Sequence, residues 1–156
     1  MHIVDHDHQG CIHEALDRAD DLCRANGVRF TQIRRRVLEL IWSSHTSVKA
    51  YDLLDNLRLT DPSAKPATIY RALDFLLEQG LIHRVESLNA YVGCKYPEHK
   101  HDLLLLICTH CHEVDERPAK ALMESAKEEV FLANFQVRRQ LFEIYGLCAQ
   151  CGPTIQ

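Results

Sequence analysis

Residues 65–94 read Lys65-Pro66-Ala67-Thr68-Ile69-Tyr70-Arg71-Ala72-Leu73-Asp74-Phe75-Leu76-Leu77-Glu78-Gln79-Gly80-Leu81-Ile82-His83-Arg84-Val85-Glu86-Ser87-Leu88-Asn89-Ala90-Tyr91-Val92-Gly93-Cys94, and their period changes midway. Up to Gln79 the apolar side chains recur at helical spacing. Ile69, Leu73, Leu76 and Leu77 form one face, Pro66 suits the first helical position, and Gly80 marks the stop. Past Gly80 the pattern alternates, breaks at Ser87-Leu88-Asn89, and resumes through Cys94, which predicts a β-hairpin. At about 100° per residue, Arg71 lies about 200° from Ile69 and points away from the core, with Ala67 and Asp74 beside it. Arg71 is therefore the residue expected to meet a ligand.

Upstream, a helix is predicted over 11–26, ended by Asn26-Gly27, where glycine supplies the left-handed cap. A second helix starts from Thr31 as cap, with Ile33, Val37, Leu40 and Ile41 inward. Ser47 is the expected cap of a third, which buries Ala50, Leu53, Leu54 and Leu57 and ends at Thr60-Asp61-Pro62-Ser63. Helices followed by a hairpin make a winged helix-turn-helix, whose last helix enters the DNA major groove while the hairpin lies along the backbone. A helix-and-hairpin module without a DNA role shares that outline. Residues 1–10, polar and rich in His, are expected to be a flexible tail without a site.

Downstream, 95–101 (KYPEHKH) read as a polar hinge. Beyond it the pattern predicts strands near 103–109 and 113–116, a helix from Pro118 to about Phe131 with Ala119, Leu122, Met123, Ala126 and Val130 as its stripe, and a strand near 135–145. So small an α/β unit buries little core, and a metal and a second copy of the chain are its expected supports. The expected fold class is α+β. A winged-helix DNA-binding domain spans 1–94, a hinge 95–101, and a small α/β dimerisation and zinc-binding domain 102–156.

Four of the seven cysteines form two C-x-x-C pairs, Cys108/Cys111 and Cys148/Cys151. Each pair turns two thiolates onto one ion, and two pairs supply the four sulfurs of a closed tetrahedral zinc site that is structural because no coordination position stays open. The 36 residues between them, 112–147, require a helix and a strand to bring the turns together. Taken alone, Cys108-Thr109-His110-Cys111 also fits a thiol redox pair. A second donor set, His83, Cys94, His101 and Glu116, is spread over hairpin, hinge and C-terminal unit. One thiolate, two imidazoles and a carboxylate suit a tetrahedral zinc whose binding would fix the hinge. An isolated strand His or a buried free Cys is also ordinary structure.

The 156 residues are 46% hydrophobic with a net charge of −4, and that charge is uneven. Residues 29–84 sum to +3 between flanks of −4 and −3, a local footprint for a polyanion. The longest apolar run is too short to cross a bilayer and the start has no signal-peptide pattern, so a cytoplasmic protein is expected, with no membrane partner. There is no G-x-S-x-G, phosphate loop or catalytic carboxylate pair, so neither an enzyme nor a small-molecule substrate is expected.

Gly27-Val28-Arg29-Phe30-Thr31-x-x-Arg34, the Lys65–Leu73 helix and the paired C-x-x-C resemble the ferric uptake regulator family over about 15–152. Ala50-Tyr51-Asp52-Leu53-Leu54, Arg71–Gly80 and Gly146-Leu147-Cys148 are most similar to its zinc uptake regulator branch. The resemblance implies a homodimeric, zinc-dependent transcriptional repressor that binds palindromic double-stranded operators of zinc-acquisition genes. It implies two zinc ions per chain, one structural at Cys108, Cys111, Cys148 and Cys151 and one regulatory at His83, Cys94, His101 and Glu116. It puts Tyr51 and Arg71 at the duplex. Tyr70, Thr68, Arg34 and Lys65 complete the expected DNA-binding set, Arg71 reading a purine edge and the lysine and Arg34 meeting phosphates. Iron-type members carry an H-H-x-H run and a histidine in the last strand. Here the corresponding stretches are His99-Lys100-His101-Asp102 and Arg138–Tyr145 without His, so no third cluster of that kind is expected. An iron- or nickel-responsive regulator of the same family, or a thiol-based redox switch, is the alternative.

Overall fold

The structure is a computed structural model that describes residues 8–97, 103–137, 140 and 142–153. The chain divides into two compact units, Met1–Glu98 and His99–Gln156. The first unit runs α1 (His8–Ala25), α2 (Gln32–Trp42), α3 (Ala50–Arg58), α4 (Pro66–Glu78), β1 (Ile82–Val85), a 3-10 turn Glu86–Leu88, and β2 (Ala90–Gly93). This is a winged helix-turn-helix.

Its helices begin and end where local chemistry dictates. Thr31 holds extended backbone and its hydroxyl accepts from the Arg34 N–H at 3.4 Å, satisfying one of the amides that no helical carbonyl can reach. Gly27 and Gly80, with φ of +67° and +69°, take the left-handed turns that follow α1 and α4. Pro66 opens α4 and Thr68 Oγ1 accepts from the Lys65 N–H at 3.3 Å. One core joins Leu16 and Ala19 of α1, Val37, Leu38 and Ile41 of α2, Leu53, Leu54 and Leu57 of α3, Ile69, Leu73 and Leu76 of α4, and Ile82 and Tyr91 of the hairpin.

Three expectations change here. Residues 8–10, expected in the tail, belong to α1, while 1–7 lie outside the described residues. Ser47 does not cap α3. The cap position is Lys49, because Val48 is held extended by a reciprocal pair of backbone bonds with Tyr91, both 2.8 Å. That bridge adds a third segment to the wing and fastens it to the approach to α3. The hairpin closes through Asn89 in the left-handed region, φ 47°, with β1 and β2 antiparallel and Ile82 opposite Gly93. Cys94, expected on the strand, follows it by one residue.

The second unit holds β3 (Leu103–Cys108), β4 (Val114–Pro118), α5 (Lys120–Leu132) and β5 (Phe142–Gly146), with sheet order β4-β3-β5. β3 is antiparallel to β4 and parallel to β5. Pro118 ends β4 instead of opening the helix. Proline lacks the N–H a ladder interior needs but is tolerated at a strand end. The last strand is shorter than expected, since Phe135–Val137 lie outside it. Of the α5 stripe only Met123 is buried. Leu122, Phe131, Leu132, Phe135, Val137, Ile144, Tyr145 and Leu147 remain exposed, a larger apolar surface than a small isolated unit normally leaves to water. Of the expected hinge, 95–101, residues 98–101 lie outside the described residues.

Candidate metal centre and nucleic-acid interface

The parallel pairing of β3 with β5 builds the sulfur cluster. Cys108 ends β3 opposite Gly146, and Gly146 stands two residues before Cys148, so both C-x-x-C turns emerge at the same end of the sheet. Thr109 locks them together, donating its N–H at 2.8 Å and its hydroxyl at 3.1 Å to the Gly146 carbonyl. The first turn closes with the His112 N–H on the Cys108 carbonyl at 3.0 Å, with His112 at φ 61°. The second closes with the Cys151 and Gly152 N–H groups on the Cys148 carbonyl, 3.0 and 2.8 Å. The strands and helix between the pairs do the convergence that the spacing required.

All four sulfurs of Cys108, Cys111, Cys148 and Cys151 lie within 4.8 Å of one another. Cys111 Sγ and Cys148 Sγ are 3.7 Å apart. Four sulfurs each about 2.3 Å from one zinc would stand about 3.8 Å apart, so the cluster fits a closed tetrahedral site. Its electrostatics agree. Backbone N–H groups of Cys111 and Cys148 directed at Cys108 lower its thiol pKa to about 6, while the neighbouring Cys148 sulfur, burial and the other thiols push Cys151 up to about 12. At Cys111 the Glu113 amide pulls downward most strongly, but the neighbouring Cys108 sulfur, burial and the Cys148 sulfur together raise the thiol. One thiolate forms readily while Cys111 and Cys151 resist ionising beside it, a conflict that a divalent cation removes.

In the first unit His83 on β1 and buried Cys94 bring an imidazole nitrogen and a sulfur within 4.8 Å of each other. The Cys94 N–H donates to the Leu81 carbonyl at 2.9 Å. In the second unit the alternation of β4 turns Val114 and Glu116 inward and Asp115 and Arg117 to the other face, where Arg117 Nε donates to Asp115 Oδ2 at 2.7 Å. Glu116 is 6% exposed, the one buried charged side chain among the described residues. A carboxylate in that position calls for donors or a cation. His101 lies outside the described residues.

On the first unit Arg71 stands exposed on the outer face of α4 with Ala67 and Asp74, as the helical wheel requires. Its guanidinium has no hydrogen bond or ion pair among the described residues, whereas Arg18, Arg24, Arg35, Arg36, Arg58 and Arg84 of the same unit are each paired with a carboxylate. Tyr51 on α3 and Tyr70 on α4 are 68% and 45% exposed and flank a shallow cleft floored by Leu54, Pro66 and Ile69. Lys65 is exposed and Thr68 half-buried. Arg34 is differently placed: it lies over the Phe75 ring, 3.6 Å from its centroid, and donates to the Arg29 carbonyl. Arg35 pairs with Asp20, and Arg36 with Glu39 at 2.7 Å. Charge counting could not separate Arg34 and Arg35 from Arg71, because their engagement depends on α4 and α1 lying against α2.

A family model described as the ferric uptake regulator family matches residues 25–145. The zinc uptake regulation protein of Escherichia coli (strain K12) is 42% identical over 139 residues, 88% of this chain and 81% of that one. Among solved structures, a zinc uptake regulator complexed with zinc and DNA superposes with a TM-score of 0.86 at 41% identity, covering 89% of this chain and 93% of the other. Holo XcZur superposes with a TM-score of 0.80 at 38% identity, covering 86% and 94%. No helix among the described residues is long and apolar enough to cross a membrane.

Proposed function

The chain belongs to the ferric uptake regulator family, and on that premise we propose that it is a zinc-responsive transcriptional repressor that binds operators of zinc-acquisition genes. The observation that carries this reading is the likeness, over most of the chain, to a zinc uptake regulator solved with both zinc and DNA. The unpartnered Arg71 on the outer face of α4 gives the reading a chemical handle, because a planar guanidinium left without an acceptor can bond two atoms of a guanine edge.

Two ions per chain are proposed. Zinc, when bound, supplies a tetrahedral cross-link without redox change. Cys108, Cys111, Cys148 and Cys151 hold the structural ion, as the sulfur geometry supports. His83, Cys94 and Glu116, with His101 as fourth donor, hold the regulatory ion. The proximity of His83 to Cys94 and the burial of Glu116 support that assignment. Three donor types of mixed hardness suit zinc better than iron(II).

Tyr51 and Tyr70 offer aromatic faces and hydroxyls beside Arg71, Thr68 a hydroxyl, and Lys65 and Arg34 positive charge for phosphates. Two copies are proposed to associate through the exposed apolar residues of α5 and β5, which matches a palindromic operator. Such a repressor acts in the cytoplasm, where its operators are, and needs no catalytic group and no small-molecule substrate.

The test is operator binding by purified protein, with metal per chain recorded, across buffered free zinc and iron(II) series. Binding that rises steeply with zinc as a second ion loads supports the reading. Binding indifferent to zinc, or activated only by iron, overturns it.

A further inference from the structure

Cys94 is restrained from three directions within the first unit. Its own N–H is bonded to Leu81. The residue before it, Gly93, lies against the indole of Trp42 at the end of α2. A Cβ placed on Gly93 would fall 2.8 Å from Trp42 Cζ2 and closer still to Cε2 and Nε1, so the ring occupies the space a side chain at 93 would need. The residue after it, Lys95, presents its carbonyl to Arg18 Nη1 of α1 at 2.9 Å, across 77 positions of sequence.

The hairpin needs none of this to set its register. Four residue pairs of β1 and β2 and the reciprocal Val48–Tyr91 bonds already do that. The contacts from α1 and α2 fall instead on the two neighbours of a single buried thiol, whose sulfur stands near a His83 ring nitrogen. A cysteine has one torsion between backbone and sulfur, so the backbone at 93–95 decides where the sulfur can go. Metal–ligand distances tolerate only about 0.2 Å. Relieving a contact as close as that between a Cβ at 93 and the Trp42 ring demands more movement than this.

We propose that Arg18, Gly93 and Trp42 are positioning residues for the thiolate of Cys94, clamping the backbone on both sides so that the sulfur meets the regulatory ion without rearrangement. The proposal rests on the assignment of Cys94 as a regulatory ligand. It makes α1 and α2 part of the metal site's support, and it makes Trp42, the only tryptophan of the chain, an optical reporter of that site.

The experiment is zinc competition against a chromophoric chelator on the full chain, with cobalt(II) spectra and tryptophan fluorescence read in parallel. Partners one shell out from a metal are typically worth about 10–100-fold in affinity. Gly93→Ala and Arg18→Met should weaken the second ion by about that factor while the first still binds. Arg18→Lys, which keeps a donor, and the double variant Gly93→Ala/Trp42→Leu, which reopens the space, should return toward wild type. The cobalt–thiolate absorption of the second site should weaken or shift in Gly93→Ala. Trp42 fluorescence should change with the second equivalent in wild type and not in Cys94→Ser. Should Gly93→Ala fail to fold, Arg18→Met, altered at an exposed side chain, decides alone. If Cys94→Ser loses the second ion but Gly93→Ala and Arg18→Met bind it as tightly as wild type, the positioning role is overturned. If Cys94→Ser still holds two ions, the regulatory assignment itself falls, and the positioning role with it.

Discussion

Cys108 stands opposite Gly146 across parallel strands, and this one register position brings the thiols of Cys148 and Cys151 to those of Cys108 and Cys111. Cys148 stands 40 positions after Cys108, yet its N–H reaches the Cys108 sulfur at 3.4 Å. The sheet places the ligands and the ion would hold the sheet. Neither half of the unit has much buried core of its own.

Cys108→Ser is expected to lose this zinc and with it most of the stability of the second unit, since a structural zinc contributes on the order of 10 kcal/mol. Metal analysis and thermal melting check it. A variant that kept full zinc content and melted with the parent would show the cluster to be incidental.

Arg71→Ala is expected to cost about 1–3 kcal/mol of operator discrimination at one base position, with zinc content unchanged. Arg71→Lys should recover little of it, because an ammonium cannot reproduce the two-toothed contact. A binding assay over single-base operator variants reads the effect, and a uniform loss across all positions would reassign Arg71 to the phosphates.

Lys65→Gln should weaken operator and non-operator DNA alike and lower the slope of log affinity against log salt by about 1. The same change at Arg34 should also loosen the fold, because that side chain is stacked on Phe75. Equal salt slopes for parent and Lys65→Gln would remove Lys65 from the interface.

Thr31→Ala removes the acceptor for the Arg34 amide at the start of α2. It should cost about 1 kcal/mol and lower the melting temperature of the first unit by about 5 °C. Zinc stoichiometry should stay as it was, and a melt identical to the parent would mean that water replaces the hydroxyl without loss.

The helices of the first unit were readable because their apolar period and punctuation agree: Thr31, Pro66, Gly27 and Gly80 each stand where a helix starts or stops. Ser47 misled because serine is an equally good cap in isolation. What overrides it is the pairing of Val48 with Tyr91, a contact 43 residues away in sequence that no local pattern carries. Pro118 misled for a related reason, since a first helical turn and a strand end both tolerate a missing N–H. The sulfur cluster was legible from spacing alone, but not the parallel β3–β5 pairing that assembles it. The mixed donor set has no local motif: its residue types suit zinc, but only the resemblance set it apart from ordinary strand histidines and buried cysteines. The hold of α1 and α2 on the neighbours of Cys94 left one visible trace, a glycine where the strand alternation had no need of one.

The cross-linking of two turns so far apart in sequence changes what a cut in the backbone does. Residues 133–137, after α5, are exposed and belong to neither helix nor strand. A protease entering there would sever the chain between the two C-x-x-C pairs, leaving β3 with Cys108 and Cys111 on one fragment and β5 with Cys148 and Cys151 on the other. With zinc in place the fragments would stay joined through four sulfurs and a strand ladder, as a disulfide would join them, but without any oxidant. A chelator would then act as the reducing agent does for a nicked disulfide protein, and the two pieces would part only when the metal left.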